Sequence, residues 1–128
     1  MTLANTYILE LKGEKCRSWN EVMRMHHFTR NKVSKEAHEL VAWAVYQNKE
    51  VGERKKRPIT DCWIHFEIHY KDKRRHDSSN AFVKAYEDGL VKTGVLVDDS
   101  SQFVKEVAFA VKTGMPEDKV IITINELV

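Results

Sequence analysis

Apolar residues recur along four stretches of the chain in patterns typical of β-strands. The clearest stretch spans 59–70, and its core-facing positions are Cys62, Ile64, Phe66, Ile68 and Tyr70. The other predicted strands span 6–11, 103–112 and 120–125. A turn at 113–118 separates the last two strands, so we expect them to form a hairpin.

A helical period marks two further segments. The first spans 33–49, and its apolar stripe consists of Val33, Ala37, Leu40, Val41, Ala44 and Val45. The second is predicted to begin at Asp77 or Ser78 as N-cap and to end at Gly94. Its polar residues recur every three or four positions and should share one helix face: Asp77, Asn80 or Ala81, Lys84 and Asp88. Residues 17–32 show no firm period and are predicted to be a long loop or an irregular helix.

These elements occur in the order β-α-β-α-β-β. The order predicts an α+β fold in which a four-stranded mixed sheet carries two helices on one face. A length of 128 residues fits a single domain over 1–128.

Composition narrows the class of protein. Hydrophobic residues make up 42% of the chain and charged residues 31%, which suits a globular protein. No apolar run approaches the roughly 18 residues that a membrane span requires, and the first residues lack the pattern of a signal peptide. Cys16 and Cys62 lack metal-type spacing, so we expect reduced thiols in a cytoplasmic protein with no membrane partner.

Charge is distributed unevenly, although the net charge is only +2. Basic residues concentrate at 54–57 and 71–75, and acidic residues concentrate in the second half of the chain. A polyanion-binding surface beside an acidic metal pocket would produce this division. Solvated loops would also produce it, and runs of charge are usually solvated.

Two adjacent acids, Asp98 and Asp99, lie just past Gly94, after three apolar residues. If the chain folds back, they can meet Asp77, and three converging carboxylates repel one another unless a divalent cation lies among them. Oxygen ligands of this kind suit magnesium or manganese. The alternative is that Asp77 only caps a helix and that Asp98 and Asp99 only form a polar turn.

The stretch 74–99 resembles the RusA family of Holliday junction resolvases. The matching pieces are Arg74-Arg75, Asp77-Ser78-Ser79-Asn80, Lys84-Ala85, Asp88-Gly89-Leu90, Lys92-Thr93-Gly94-Val95 and Asp98-Asp99. Ser18-Trp19-Asn20 is similar to an early Ser-x-Asn element of the family. In one departure, Ser79 stands where the family has a second Asp.

The resemblance implies a homodimeric, magnesium-dependent endonuclease that resolves four-way DNA junctions, with manganese as a substitute metal, in a bacterial or phage-encoded protein. The expected catalytic residues are Asp77, Lys84 and Asp99, and the expected metal ligands are Asp77, Asp98 and Asp99. The basic and polar residues expected to contact DNA are Arg17, Asn20, Arg30, Lys73, Arg74 and Arg75. Because Ser79 is a poorer magnesium ligand than a carboxylate, the alternative is a catalytically weak or inactive protein that binds branched DNA.

Overall fold

Strands and helices follow one another along residues 3–127, the part of the chain that this computed structural model describes. The elements are β1 (Leu3–Lys12), α1 (Trp19–Arg24), α2 (His27–Gln47), α3 (Lys49–Glu53), β2 (Cys62–His69), α4 (Lys84–Lys92), β3 (Val104–Lys112) and β4 (Lys119–Leu127). Short 3-10 turns occur at Arg54–Lys56 and Ser78–Asn80. Within this range no helix has the length and apolar character needed to span a membrane.

The four strands form one sheet in the order β1-β4-β2-β3. Strand β4 runs antiparallel to both β1 and β2, whereas β3 runs parallel to β2. A parallel pair needs a crossover connection, and here α4 lies in that connection. The α+β class and the four-stranded mixed sheet are therefore confirmed.

The predicted hairpin between the last two strands is wrong, because β4 lies between β1 and β2 and does not pair with β3. The burial of the two strands explains this placement. Val120, Ile122 and Ile124 of β4 are fully buried, so the strand suits a central position. Only Val104 is buried on β3, and its charged side chains include Lys105 and Lys112. Charged side chains are common on edge strands because they discourage further pairing.

One face of the sheet forms the main core. The alternating side chains of β2 are buried as predicted, and Ile64 and Ile68 have no exposed surface. They belong to one hydrophobic cluster with Val41 of α2 and Leu90 of α4. Burying each large aliphatic side chain contributes about 1.5–3 kcal/mol relative to leaving it exposed. The sheet and the two helices are therefore held together by the same cluster.

Close packing between α2 and α4 depends on Gly89. A Cβ atom added at this position would lie 3.0 Å from the Cβ atom of Val41, which is tighter than most real Cβ contacts. Glycine therefore lets the two helix backbones approach. This contact sets the position of α4, the helix that carries Lys84 and Asp88.

Helix α4 ends where the sequence predicts. Gly94 has a positive φ of 87°, a conformation that glycine adopts without steric cost. The backbone N–H groups of Val95 and Leu96 both donate to the carbonyl of Leu90, at 3.1 and 3.2 Å. This arrangement terminates the helix and directs the chain into the loop that contains Asp98 and Asp99.

The expectation of a loop or irregular helix at 17–32 is partly wrong, because α1 and the start of α2 occupy most of it. Each helix has its own N-cap. The Ser18 hydroxyl accepts from the Glu21 N–H at 3.1 Å, and the His26 ring accepts from the Phe28 N–H at 3.3 Å. Most side chains of this segment are exposed, so there was little apolar period to detect.

Candidate active site

The segment that leads into α4 is not one continuous helix, so the predicted helix from Asp77 to Gly94 is wrong in its first part. Asp77 precedes a 3-10 turn, and Ala81 is extended, with φ −70° and ψ 128°. The Phe82 N–H donates to the Arg17 carbonyl at 2.8 Å, and Ala81 forms an isolated antiparallel bridge with Ser18. Residues 81–82 therefore pair with the segment before α1 and are not helical.

Only half of the predicted polar helix face forms. Lys84 and Asp88 lie one turn apart on α4, and the Lys84 ammonium is 3.1 Å from the Asp88 carboxylate. Asp77 and Asn80 lie before the helix begins, so they do not share that face. Any approach of Asp77 to Lys84 must come from tertiary structure.

Lys84 also contacts Asp99, which lies in the loop after Gly94. The Lys84 side chain is 46% exposed and that of Asp99 is 23% exposed. The hydrogen bond from Lys84 lowers the pKa of Asp99, and the Asp99 carboxylate raises the pKa of Lys84. The amine is therefore held in its charged form between two carboxylates, one from the helix and one from the loop.

A further acid, Glu87, lies beside this cluster and was not predicted as a site residue. Its side chain is only 8% exposed. Burial is the main cause that raises the pKa of Glu87, while nearby Lys84 lowers it and Asp88 and Asp99 raise it. The position three residues after Lys84 was a usable signal, because residues three apart on a helix are neighbours.

The three acids predicted to bind metal do not form a cluster. Asp77 is 65% exposed and lies 3.5 Å from the Arg75 guanidinium, while Asp98 is half-buried. Across residues 3–127, no three His, Cys, Asp or Glu side chains are grouped so that they would hold a metal ion. Carboxylate oxygens are the donors that magnesium prefers, so the chemistry of the acids fits the ion while their grouping does not. Metal binding by Asp77, Asp98 and Asp99 stays a prediction.

Three of the predicted DNA contacts do come together. Arg17, Arg74 and Arg75 line one cavity of about 420 Å³. Arg75 and Asp77 also line a neighbouring cavity with Asn80, so the basic surface adjoins one of the predicted catalytic acids.

The other three predicted DNA contacts lie outside the lining of this cavity. Asn20 is exposed on α1, Arg30 is half-buried on α2, and Lys73 is exposed in the loop after β2.

The chain matches no protein-family model, and a search of curated proteins finds no significant match. The resemblance to the RusA family therefore rests on the motif residues alone, and it stays a prediction.

Proposed function

We propose that this protein is a magnesium-dependent endonuclease of RusA type that cuts branched DNA, with four-way junctions as its substrate. The observation that carries the proposal is the contact between Lys84 and Asp99. Lys84 lies in the middle of the motif at 74–99 and Asp99 lies at its end, 15 positions away. The contact places the lysine of α4 beside an aspartate of the loop that follows, so folding brings two of the motif residues to one place.

Lys84 suits the chemistry of phosphodiester hydrolysis. The reaction builds negative charge on the phosphoryl oxygens and on the leaving oxygen, and a positioned ammonium stabilises that charge. Asp99, and to a smaller extent Asp88, raises the pKa of Lys84, so the amine stays charged at neutral pH. The two carboxylates also restrict where the flexible lysine side chain can lie.

Magnesium, or manganese in its place, is the proposed cofactor, and Asp77, Asp98 and Asp99 are its proposed ligands. If these acids came together around the ion, it would activate water and neutralise charge on the scissile phosphate. Ser79 is exposed and offers only a neutral hydroxyl, so the side-chain carbonyl of Asn80 is the proposed substitute oxygen ligand.

The proposed partners follow from the substrate. Phosphates of the DNA would contact the basic cavity that Arg17, Arg74 and Arg75 line. A four-way junction presents two symmetric strands, so a two-fold homodimer would place one site on each strand. The proposed location is the cytoplasm of a bacterium, with the protein encoded by the bacterium or by a phage.

A second candidate function is binding of branched DNA with little or no cleavage. One observation favours it. Ser79 stands where the motif has a second acid. The basic cavity would serve this function equally well.

Incubation of the protein with a labelled synthetic four-way junction and magnesium tests the proposal. We expect paired, symmetric nicks in the junction and none in a linear duplex of the same sequence. Retarded migration of the junction without nicks would support the second candidate, and no binding to the junction would contradict both.

A further inference from the structure

Asp72, in the loop after β2, is bonded to several groups of the basic cavity. Its carboxylate accepts from the His76 ring at 2.8 Å and from the Arg74 backbone N–H at 3.0 Å. The Lys15 ammonium, which follows β1, lies 3.3 Å from the same carboxylate. One acid therefore connects two segments that are distant in sequence.

The loop is fixed on its other side as well. The Asp72 carbonyl accepts from the Gly114 N–H at 2.8 Å. The His76 ring stacks on the ring of Tyr70, with 3.7 Å between centroids and 6° between planes. The Tyr70 hydroxyl in turn donates to the Cys16 carbonyl at 2.8 Å. Asp72 and its partner His76 thus hold both walls of the cavity in one arrangement.

The cavity is rich in positive charge and open to solvent. Its basic lining residues, apart from His76, are Lys15, Arg17, Arg74 and Arg75. The one acid in the lining, Glu21, lies 2.6 Å from the Arg17 guanidinium. The side chains of Arg74 and Arg75 are 76% and 92% exposed, so a ligand can reach them. A compact anion with several oxygens, such as a phosphate group, fits this lining.

We propose that Asp72 is a positioning residue, which holds the walls of this cavity together so that it binds a backbone phosphate of DNA. The proposal rests on the proposed function for its ligand, and it adds a residue that no motif indicates. Because Arg75 lies 3.5 Å from Asp77, a phosphate held in the cavity lies beside one of the proposed catalytic acids. Asp72 itself makes no contact with the DNA in this account.

Positioning by Asp72 and simple charge repulsion predict opposite effects on DNA binding when Asp72 is removed. Removing an acid from a DNA-binding surface ordinarily strengthens binding, because the net charge becomes more positive. Removing Asp72 should weaken binding, because Lys15 and Arg74 lose the carboxylate that holds them and His76 loses its hydrogen bond. The sign of the change therefore separates positioning from bulk electrostatics.

The test compares Asp72→Ala with Glu117→Ala in fluorescence anisotropy with a labelled four-way junction. Glu117 is the control, because its carboxylate lies 3.8 Å from the Lys119 ammonium in the turn before β4 and does not line the cavity. We expect the Kd to rise about tenfold for Asp72→Ala, with a salt dependence shallower by about one phosphate contact. We expect Glu117→Ala to bind as tightly as the wild type or more tightly.

Equal or tighter binding by Asp72→Ala would overturn the proposal. If that variant does not fold, Asp72→Asn takes its place, since it keeps an oxygen acceptor for Arg74 and loses the charge that holds Lys15. A titration with inorganic phosphate, followed by NMR of the arginine side chains, separates the two proposals. Phosphate-dependent shifts at Arg17, Arg74 and Arg75 that are lost in Asp72→Asn would support the cavity even if the junction is not bound. Shifts that Asp72→Asn leaves unchanged, or no shifts in the wild type, would contradict it.

Discussion

Replacing Lys84 with methionine should lower the rate of junction nicking by a factor of about 10²–10³, which is typical for loss of one group that stabilises transition-state charge. Methionine keeps a long unbranched side chain but removes the ammonium that contacts Asp88 and Asp99. The junction should still bind within about twofold of the wild type, because the basic cavity supplies most phosphate contacts. Single-turnover cleavage and anisotropy measure the two quantities separately.

Lys92→Met is the matched control for this prediction. Lys92 lies in the last turn of the same helix and is exposed, so the substitution removes the same charge from α4 and leaves the ion pairs of Lys84 with Asp88 and Asp99 in place. Nicking by Lys92→Met should stay within about threefold of the wild type, since surface substitutions away from a site have small effects. Equal losses in both variants would show that the charge of α4, and not the position of Lys84, matters.

Replacing Arg54 with alanine should lower the free energy of unfolding by about 3 kcal/mol, the usual cost of breaking a buried ion pair. The Arg54 guanidinium binds the Glu126 carboxylate with both ends, at 2.5 and 2.7 Å. It also donates to the Tyr7 hydroxyl at 2.9 Å. The side chains of Arg54 and Glu126 are only 11% and 16% exposed, so the substitution would leave a poorly solvated carboxylate without its partner.

Lys55→Ala is the control for Arg54→Ala, because Lys55 is the next residue of the same basic run and is exposed. Its free energy of unfolding should change by no more than about 0.5 kcal/mol. Urea denaturation of both variants at neutral pH measures the difference. A loss below about 1 kcal/mol for Arg54→Ala would mean that the ion pair contributes no more than a surface pair does.

Arg54 also shows what a run of charge in a sequence can and cannot predict. The run 54–57 suggested a polyanion-binding surface, yet its first residue is buried against β1 and β4. The partners, Tyr7 and Glu126, lie near opposite ends of the chain, so no local pattern distinguishes Arg54 from Lys55.

Strand β2 was the most predictable, because its alternation of apolar and polar residues matches the burial of its side chains. The four strands and the buried positions of β2 appear where the pattern places them. Strand pairing was not predictable from the turn at 113–118, because the placement of β4 depends on which strand has the more apolar face. The prediction of a helix before Lys84 was wrong because the Phe82 N–H bonds to the Arg17 carbonyl, a contact between distant segments that local spacing does not reveal.

The candidate site was predicted in part. Motif order singled out Lys84 and Asp99, and folding brings them into contact. Glu87 was missed because an acid on a helix is usually solvated, and its burial depends on how α4 packs. Asp72 was missed because it lies within a basic run, where a single acid gives no signal until its partners are known.

The central claim, that Lys84 and Asp99 act as one catalytic unit, is tested most directly by a double-mutant cycle on junction nicking. Lys84→Met, Asp99→Asn and the double variant are compared with the wild type under single-turnover conditions with magnesium. Residues that act as a unit are strongly non-additive, so the double variant should nick no more slowly than the slower single variant. Losses that multiply, nicking at the full rate by Asp99→Asn, or no nicking by the wild type would contradict the account.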